Sequence, residues 1–106
     1  MKYLKIEVFV PAENVNDIIE AINDEYLGDN NYDYVYSETP VIGYFRPLEG
    51  ASPHIGDINK IETIEEMKVE FRIKKDDLSE VIKIIKREHP YEVPIINVLE
   101  LIETGD

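Results

Sequence analysis

The feature that most constrains the fold of this chain is a pattern that occurs twice. Each time, a segment of alternating apolar and polar residues is followed by a segment whose apolar residues recur at helical spacing. The first strand is predicted over Lys2–Val10, where one face carries Leu4, Ile6, Val8 and Val10. The second and more regular strand is predicted over Ile64–Lys74, where charged residues alternate with Met67, Val69, Phe71 and Ile73. Each strand therefore has one face suited to a buried core.

An amphipathic helix is predicted after the first strand, from about Glu13 to Leu27. Pro11 ends the strand and suits the start of a helix. The apolar positions recur at helical spacing and are Val15, Ile18, Ile19, Ile22 and Tyr26. Gly28 is placed to form a left-handed C-terminal cap, and residues 29–31 are expected to form a turn.

A second amphipathic helix is predicted after the second strand. Asp77 and Glu80 have the spacing of a capping box, which marks the start of a helix. The apolar stripe of this helix is Leu78, Val81, Ile82 and Ile85. The helix is expected to end near His89, because a residue before proline, here Pro90, disfavours the α conformation.

The remaining segments complete the predicted order. Tyr32–Ser37 and Val41–Arg46 are predicted as two strands of a hairpin, separated by Thr39 and Pro40. Pro47 to Lys60 is predicted to be a long loop, and Ile95–Ile102 a last strand.

These elements predict one α+β domain over residues 1–106 with the order β-α-β-β-β-α-β. Two strand–helix units that each return to a neighbouring strand are typical of the split βαβ layout. We therefore expect a ferredoxin-like two-layer sandwich, in which both helices cover one face of an antiparallel sheet.

Composition and charge exclude several functions. The chain has no cysteine, so it has no disulfide, thiolate metal site or cysteine nucleophile. Its net charge of −12 would repel the phosphates of a nucleic acid. The polar breaks in its first residues fit neither a signal peptide nor a membrane span, so a cytoplasmic protein without a membrane partner is expected.

No catalytic constellation is recognisable, and the chain is predicted not to be an enzyme. Ser37, Ser52 and Ser79 lack the sequence context of a nucleophile. The glycines at positions 28, 43, 50 and 56 do not form a phosphate-binding loop.

His89 and Glu92 are the candidate metal ligands. They flank Pro90 at the end of a helix, and an imidazole with a carboxylate suits a divalent metal ion, the one cofactor this pattern suggests. The alternative is structural, since a histidine in the last helical turn complements the helix dipole. Metal sites usually use three or four protein ligands, which favours the structural alternative.

A second group of candidates lies in and beside the long loop, where binding residues tend to gather. The candidate residues for a ligand or partner are Tyr44, Arg46, Glu49 and His54. Arg46 could hold an anion or pair with a carboxylate, and His54 could bind or pack against the sheet as an aromatic ring would.

Aromatic residues on the uncovered sheet face and hairpin predict an interface. The predicted interface residues are Tyr3, Phe9, Tyr32, Tyr34, Tyr36 and Tyr91. Because a large apolar surface usually marks an interface, we expect a homo-oligomer that covers this face. The protein or small molecule that it binds is not specified by these residues.

Four segments together resemble a known family. They are Asn31–Tyr34, Gly43–Gly56, Glu65–Glu70 and His89–Pro94, and Gly43–Gly56 is the most specific. The series resembles the domain inserted in YqfO-type proteins of the Nif3-like family, here standing alone. The last segment also resembles the C-terminal part of the CutA divalent-cation-tolerance proteins.

The resemblance implies a PII/CutA-like module that assembles as a trimer, with interaction or regulation as its function. Its alternative is a divalent-metal-binding protein. In YqfO-type proteins the di-metal site lies in flanking domains, whose ligands have no counterparts here. The cysteine-containing stretch of CutA is also missing, and His54 stands where the YqfO pattern usually has an aromatic residue.

Overall fold

The computed structural model describes residues 2–28, 31–102 and Thr104 and shows four strands and two helices among them. In chain order these are β1 (Tyr3–Val10), α1 (Val15–Tyr26), β2 (Ser37–Phe45), β3 (Glu62–Lys74), α2 (Leu78–Glu88) and β4 (Ile96–Glu100). A short 3₁₀ turn precedes each helix, at Ala12–Asn14 and at Lys75–Asp77. The α+β ferredoxin-like class is confirmed, with one strand fewer than predicted.

The four strands form one antiparallel sheet in the order β2-β3-β1-β4. β1 pairs with β3 from Tyr3 opposite Lys74 to Val10 opposite Met67. On its other side, β1 pairs with β4 from Leu4, opposite Glu100, to Val8, opposite Ile96. β1 is therefore central, while β2 and β4 are the two sheet edges.

The core lies between one face of the sheet and both helices. The buried sheet residues are Leu4, Ile6, Val8 and Val10 of β1 and Val69, Phe71 and Ile73 of β3. The helices contribute Val15, Ile18, Ile19, Ile22, Val81 and Ile85. The strand alternation and the helical spacing both predicted these positions. The prediction holds because burial of apolar area drives the strands and helices to pack against one another.

The predicted strand at Tyr32–Ser37 is wrong. Residues 31–36 are not in a strand, and the single strand β2 begins at Ser37 and continues through Pro40. The buried side chain of Asn23 on α1 holds this segment, since its Oδ1 accepts a hydrogen bond from the Tyr34 N–H at 2.7 Å. Tyr34 has a φ of 54°, which no strand residue adopts. Pro40 is tolerated because β2 is an edge strand.

The predicted capping box at the start of α2 does not form. Asp77 makes no side-chain capping hydrogen bond, because the preceding 3₁₀ turn gives it a helical backbone (φ −91°, ψ −2°) instead of the extended one of an N-cap. Glu80 pairs instead with Lys83, at 3.4 Å.

The end of α1 also differs from the prediction. The residue after the helix, Leu27, is extended, and Gly28 follows it with a positive φ of 90°. A Cβ at Gly28 would collide with the carbonyl oxygen of Tyr32, so glycine is required there for close approach as well as for its backbone angle. Asp29 and Asn30 of the predicted turn lie outside the described residues.

The sheet face without helices, called the open face below, is charged at its centre. Lys5 forms an ion pair with Glu70 at 2.7 Å and another with Glu7 at 3.6 Å. The hydrogen bond with Glu70 raises the pKa of Lys5, and the same bond lowers the pKa of Glu70. The prediction of an apolar open face is therefore wrong for its centre, and apolar residues remain at the end near Phe9.

Candidate functional site

A cleft of about 450 Å³ lies at that end of the open face. The strands contribute Phe9, Gly43, Tyr44, Phe45, Ile64 and Glu66. The loop after β2 contributes Arg46, Pro47, Ala51, Pro53, His54 and Ile55, and the segment before β4 contributes Tyr91, Glu92, Val93 and Ile95. We call this the open-face cleft.

The sheet register places the floor of the cleft. Gly43 lies directly opposite Ile64, and Val41 directly opposite Glu66, so these side chains share one face. Phe9 of β1 is on the same face, because its neighbours Val8 and Val10 point into the core. Three strands therefore present side chains to one cavity.

Glu66 and Tyr91 form the central polar contact of the cleft. The Tyr91 hydroxyl donates a hydrogen bond to Oε2 of Glu66 at 3.0 Å. Burial, and then this bond to a carboxylate, raises the pKa of Tyr91 far above its ordinary value of 10. Tyr91 is therefore a neutral hydrogen-bond donor at physiological pH.

Gly43 makes room for the other oxygen of Glu66. A Cβ built on Gly43 would collide with Oε1 of Glu66, so this oxygen rests against bare backbone. The glycine has no positive φ, and the close approach is the reason why a side chain does not fit without moving the carboxylate.

His89 joins the segment before β4 to β1. It is buried, and its Nε2 lies 2.7 Å from the carbonyl oxygen of Phe9. Its Nδ1 accepts a hydrogen bond from the Tyr91 N–H at 3.1 Å, so the proton lies on Nε2 and both ring nitrogens are occupied. Burial lowers the pKa of His89, although the Phe9 carbonyl and the charge of Glu66 oppose this shift.

Glu92 ties the long loop to the same segment. Its two carboxylate oxygens accept from the Ser52 N–H, at 3.1 and 3.3 Å. The predicted metal ligands His89 and Glu92 thus bond to different parts of the backbone and not to a common point. Within residues 2–28 and 31–102 and Thr104, no group of three or more His, Cys, Asp and Glu side chains could hold a metal ion.

The structure places three of the four loop candidates at the cleft. Arg46, Tyr44 and His54 line it, and the His54 ring centroid is 6.3 Å from that of Tyr91. Glu49 is exposed and does not line the cleft. These three candidates therefore share one cleft with Glu66 and Tyr91.

Two of the predicted interface residues, Phe9 and Tyr91, lie in the cleft. Tyr3 is on the charged part of the open face, and the guanidinium carbon of Arg72 lies 5.2 Å from its ring centroid. This cation–π contact already occupies one face of the tyrosine ring.

The other three predicted interface residues precede or adjoin β2. The Tyr34 hydroxyl donates to the carboxylate of Glu20 on α1, at 2.8 and 2.9 Å. Tyr36 packs against the core, and Tyr32 is exposed. They do not form the row expected from a hairpin strand.

Sequence reasoning missed the contact between Gly43 and Glu66. Glu66 was one of many acids in an alternating strand, and the resemblance over Glu65–Glu70 did not distinguish it from the other acids of that segment. The isolated Gly43 inside a strand pattern was the available signal, since such a glycine often marks a close approach.

Comparisons with known proteins confirm the resemblance found in the sequence. A family profile described as "CutA1 divalent ion tolerance protein" matches residues 58–106. A "GTP cyclohydrolase 1 type 2 homolog" of Staphylococcus aureus (strain Mu50) is 35% identical over 104 residues, which are 97% of this chain and 28% of that protein. The chain thus spans little more than a quarter of the length of these curated relatives.

Solved structures support the same conclusion. A Bacillus cereus protein related to NIF3 has 27% identity and a TM-score of 0.81, with 96% of this chain and 26% of that chain covered. CutA of Archaeoglobus fulgidus, described as a periplasmic divalent cation tolerance protein, has 18% identity and a TM-score of 0.66, with 95% and 85% covered. Cut A1 of Thermus thermophilus has 19% identity and a TM-score of 0.71, with 97% and 87% covered. The CutA structures share the fold.

Proposed function

From its similarity, over almost its whole length, to a segment of Nif3-related proteins, we propose that the chain is a PII/CutA-like binding and regulatory module that is not an enzyme. The observation that carries the proposal is the open-face cleft, which three strands and two loop segments build around Glu66. A concave, mostly apolar cavity with a few convergent polar groups is typical of a small-ligand site.

The hydrogen bonds around the cleft favour binding over catalysis. General acid–base chemistry needs a group that can exchange a proton near neutral pH. His89 has both ring nitrogens engaged with backbone, and Tyr91 is held in its protonated form. His89 and Tyr91 therefore hold the cleft in shape and are not available to exchange protons.

The name of the curated relatives gives the activity to test. Because the chain spans 28% of their length, their whole activity is not assigned to it. We expect the purified chain, incubated with GTP and a divalent metal, to leave the nucleotide intact when followed by chromatography. Turnover above the buffer control that disappears in Glu66→Gln would overturn the non-enzymatic proposal.

We propose a homo-oligomer, and specifically a trimer. Both edges of the sheet carry exposed apolar residues, with Ile42 63% and Tyr44 72% exposed on β2 and Val98 and Leu99 exposed on β4. Exposed edges and apolar patches are usually covered in stable proteins. The sheets are expected to face inward in the trimer, with segment 89–94, one wall of the open-face cleft, near a subunit boundary.

Analytical ultracentrifugation at micromolar concentration tests the assembly. The expected sedimenting mass is three times the single-chain mass of 12.3 kDa. A single-chain mass would refute the oligomer, and a stable dimer would support an interface but refute the trimer.

Divalent-metal binding is the second candidate function, favoured by the description of the matching profile. Both ring nitrogens of His89 already bond to the backbone, so of the two predicted ligands only Glu92 keeps a side chain that a metal ion could use, and acids of a neighbouring subunit would add to it. Calorimetric titration with Zn²⁺ tests this candidate.

The proposed partners exclude nucleic acid and membrane. The charge of −12 opposes binding to phosphates, and a gel-shift assay with DNA and RNA checks this. None of the helices in the described part of the chain is long and apolar enough to cross a bilayer. Cytoplasmic localisation stays a prediction, which cell fractionation tests.

A further inference from the structure

We propose that the open-face cleft selects a small organic cation, a protonated primary amine on an apolar ring-sized body, and that the Glu66 carboxylate is its anchor. This inference deepens the proposed binding function and rests on it. It follows from the size of the cleft, the free oxygen of Glu66 and the balance of charges around it.

The size and lining of the cleft define the body of the ligand. Its volume of about 450 Å³ lies in the range of sites for small organic molecules. Phe9, Phe45, Ile64 and Val93 provide apolar surface, and Pro53 contributes from the loop. Such a lining favours an aromatic or aliphatic ring, because apolar area leaves water when the ring binds.

The Glu66 carboxylate defines the polar end of the ligand. Oε2 accepts the hydrogen bond from Tyr91, which fixes the orientation of the group. Oε1 lies against Gly43, and no described residue donates a hydrogen bond to it. An ammonium group has only donors, and its positive charge adds a direct Coulomb attraction to the carboxylate that a neutral donor lacks.

The charged groups that line the cleft with Glu66 favour a cation. From the loop come Arg46 and His54, and from the segment before β4 come Tyr91 and Glu92. Apart from His54, the charged side chains that line the cleft are two carboxylates, Glu66 and Glu92, and one guanidinium, in a chain whose net charge is −12. The overall field therefore attracts cations to the cleft. An anionic ligand would bind only if its attraction to Arg46 exceeded its repulsion by the carboxylates of Glu66 and Glu92.

Three probes with the same ring test the proposal on the full chain: benzylamine, benzyl alcohol and benzoate. Two-dimensional amide NMR titrations at neutral pH and constant salt report the affinity and the location of binding. We expect benzylamine to bind at least about tenfold more tightly than benzyl alcohol, with benzoate weakest. The largest shifts are expected at the amides of Gly43, Ile64 and Tyr91.

Glu66→Gln is the decisive variant, since it removes the charge and keeps the shape. We expect it to lose the preference for the amine while it still binds benzyl alcohol. Glu65→Gln is the matched control, because it makes the same charge change on the adjacent β3 residue, which points to the other face of the sheet. It should keep the preference.

Several outcomes would overturn the proposal: equal affinity for the three probes, a preference for benzoate, or a preference that survives in Glu66→Gln. Loss of the preference in Glu65→Gln as well would show a general charge effect and not an anchor. Absence of binding by all three probes would refute it too. If all three probes bound equally well, the preference for a protonated amine would be refuted, but the proposed binding function would still stand.

Discussion

Replacing His89 with alanine should destabilise the domain by about 2–4 kcal/mol. The imidazole is 7% exposed, and it accepts from the Tyr91 N–H and donates to the Phe9 carbonyl. Each lost hydrogen bond that leaves a buried backbone group unpaired costs about 1–3 kcal/mol, and water entering the space would recover part of that. The ring also packs on Tyr91, with centroids 4.7 Å apart.

His89 should also make stability depend on pH. Burial lowers its pKa in the folded state below the ordinary value of 6.5, so the unfolded chain binds the proton more readily. Its contribution is therefore complete above about pH 6.5 and is lost as the pH falls through that value toward the folded-state pKa. In His89→Gln this part of the pH dependence should disappear.

Urea unfolding followed by circular dichroism measures both effects. His54→Ala is the control, because this exposed histidine makes no such pair of backbone hydrogen bonds and should change stability by less than about 1 kcal/mol. Equal losses in His89→Ala and His54→Ala would refute the structural role of His89. An unchanged pH profile in His89→Gln would refute the argument from its pKa.

Further predictions concern the cleft, the segment before β2 and metal binding. Gly43→Ala should displace the carboxylate of Glu66 and lower the pKa of Tyr91 toward its ordinary value, measured by NMR of labelled tyrosine, with stability changed by less than about 1 kcal/mol. Asn23→Ala should cost about 1–3 kcal/mol in urea unfolding, because the Tyr34 N–H loses its acceptor; a neutral result would contradict the proposed tether. His89→Gln should leave any Zn²⁺ binding seen by calorimetry unchanged, and loss of binding in a folded variant would make His89 a ligand after all.

The regular elements could be predicted because each has a local cause. The alternation in β1 and β3 and the stripes of both helices each appear within a dozen residues of sequence, and every buried core residue except Leu27 follows from them. The predicted strand at Tyr32–Ser37 had an equally good local pattern. It failed because a buried amide on α1, Asn23, binds the backbone of Tyr34.

The candidate site was only partly predictable for the same reason. Arg46 and His54 were candidates because they lie in or beside a long loop that its glycines and prolines mark in the sequence, and both line the cleft. The role of His89 depends on the Phe9 carbonyl, which lies 80 residues away in the chain, and no local spacing reveals it. The free oxygen of Glu66 depends on the register of β2 with β3, which places Gly43 beneath it.

The central position of β1 has a consequence for how the domain forms. β1 precedes the other three described strands in the chain, yet its two partners in the sheet, β3 and β4, lie in the second half of the sequence. Contacts between segments far apart in sequence require large loops to close before they stabilise anything, which slows folding. During synthesis the two hydrogen-bonding edges of β1 stay unpaired until residues 62–100 have emerged, so the first strand of the sheet in chain order is among the last to be completed.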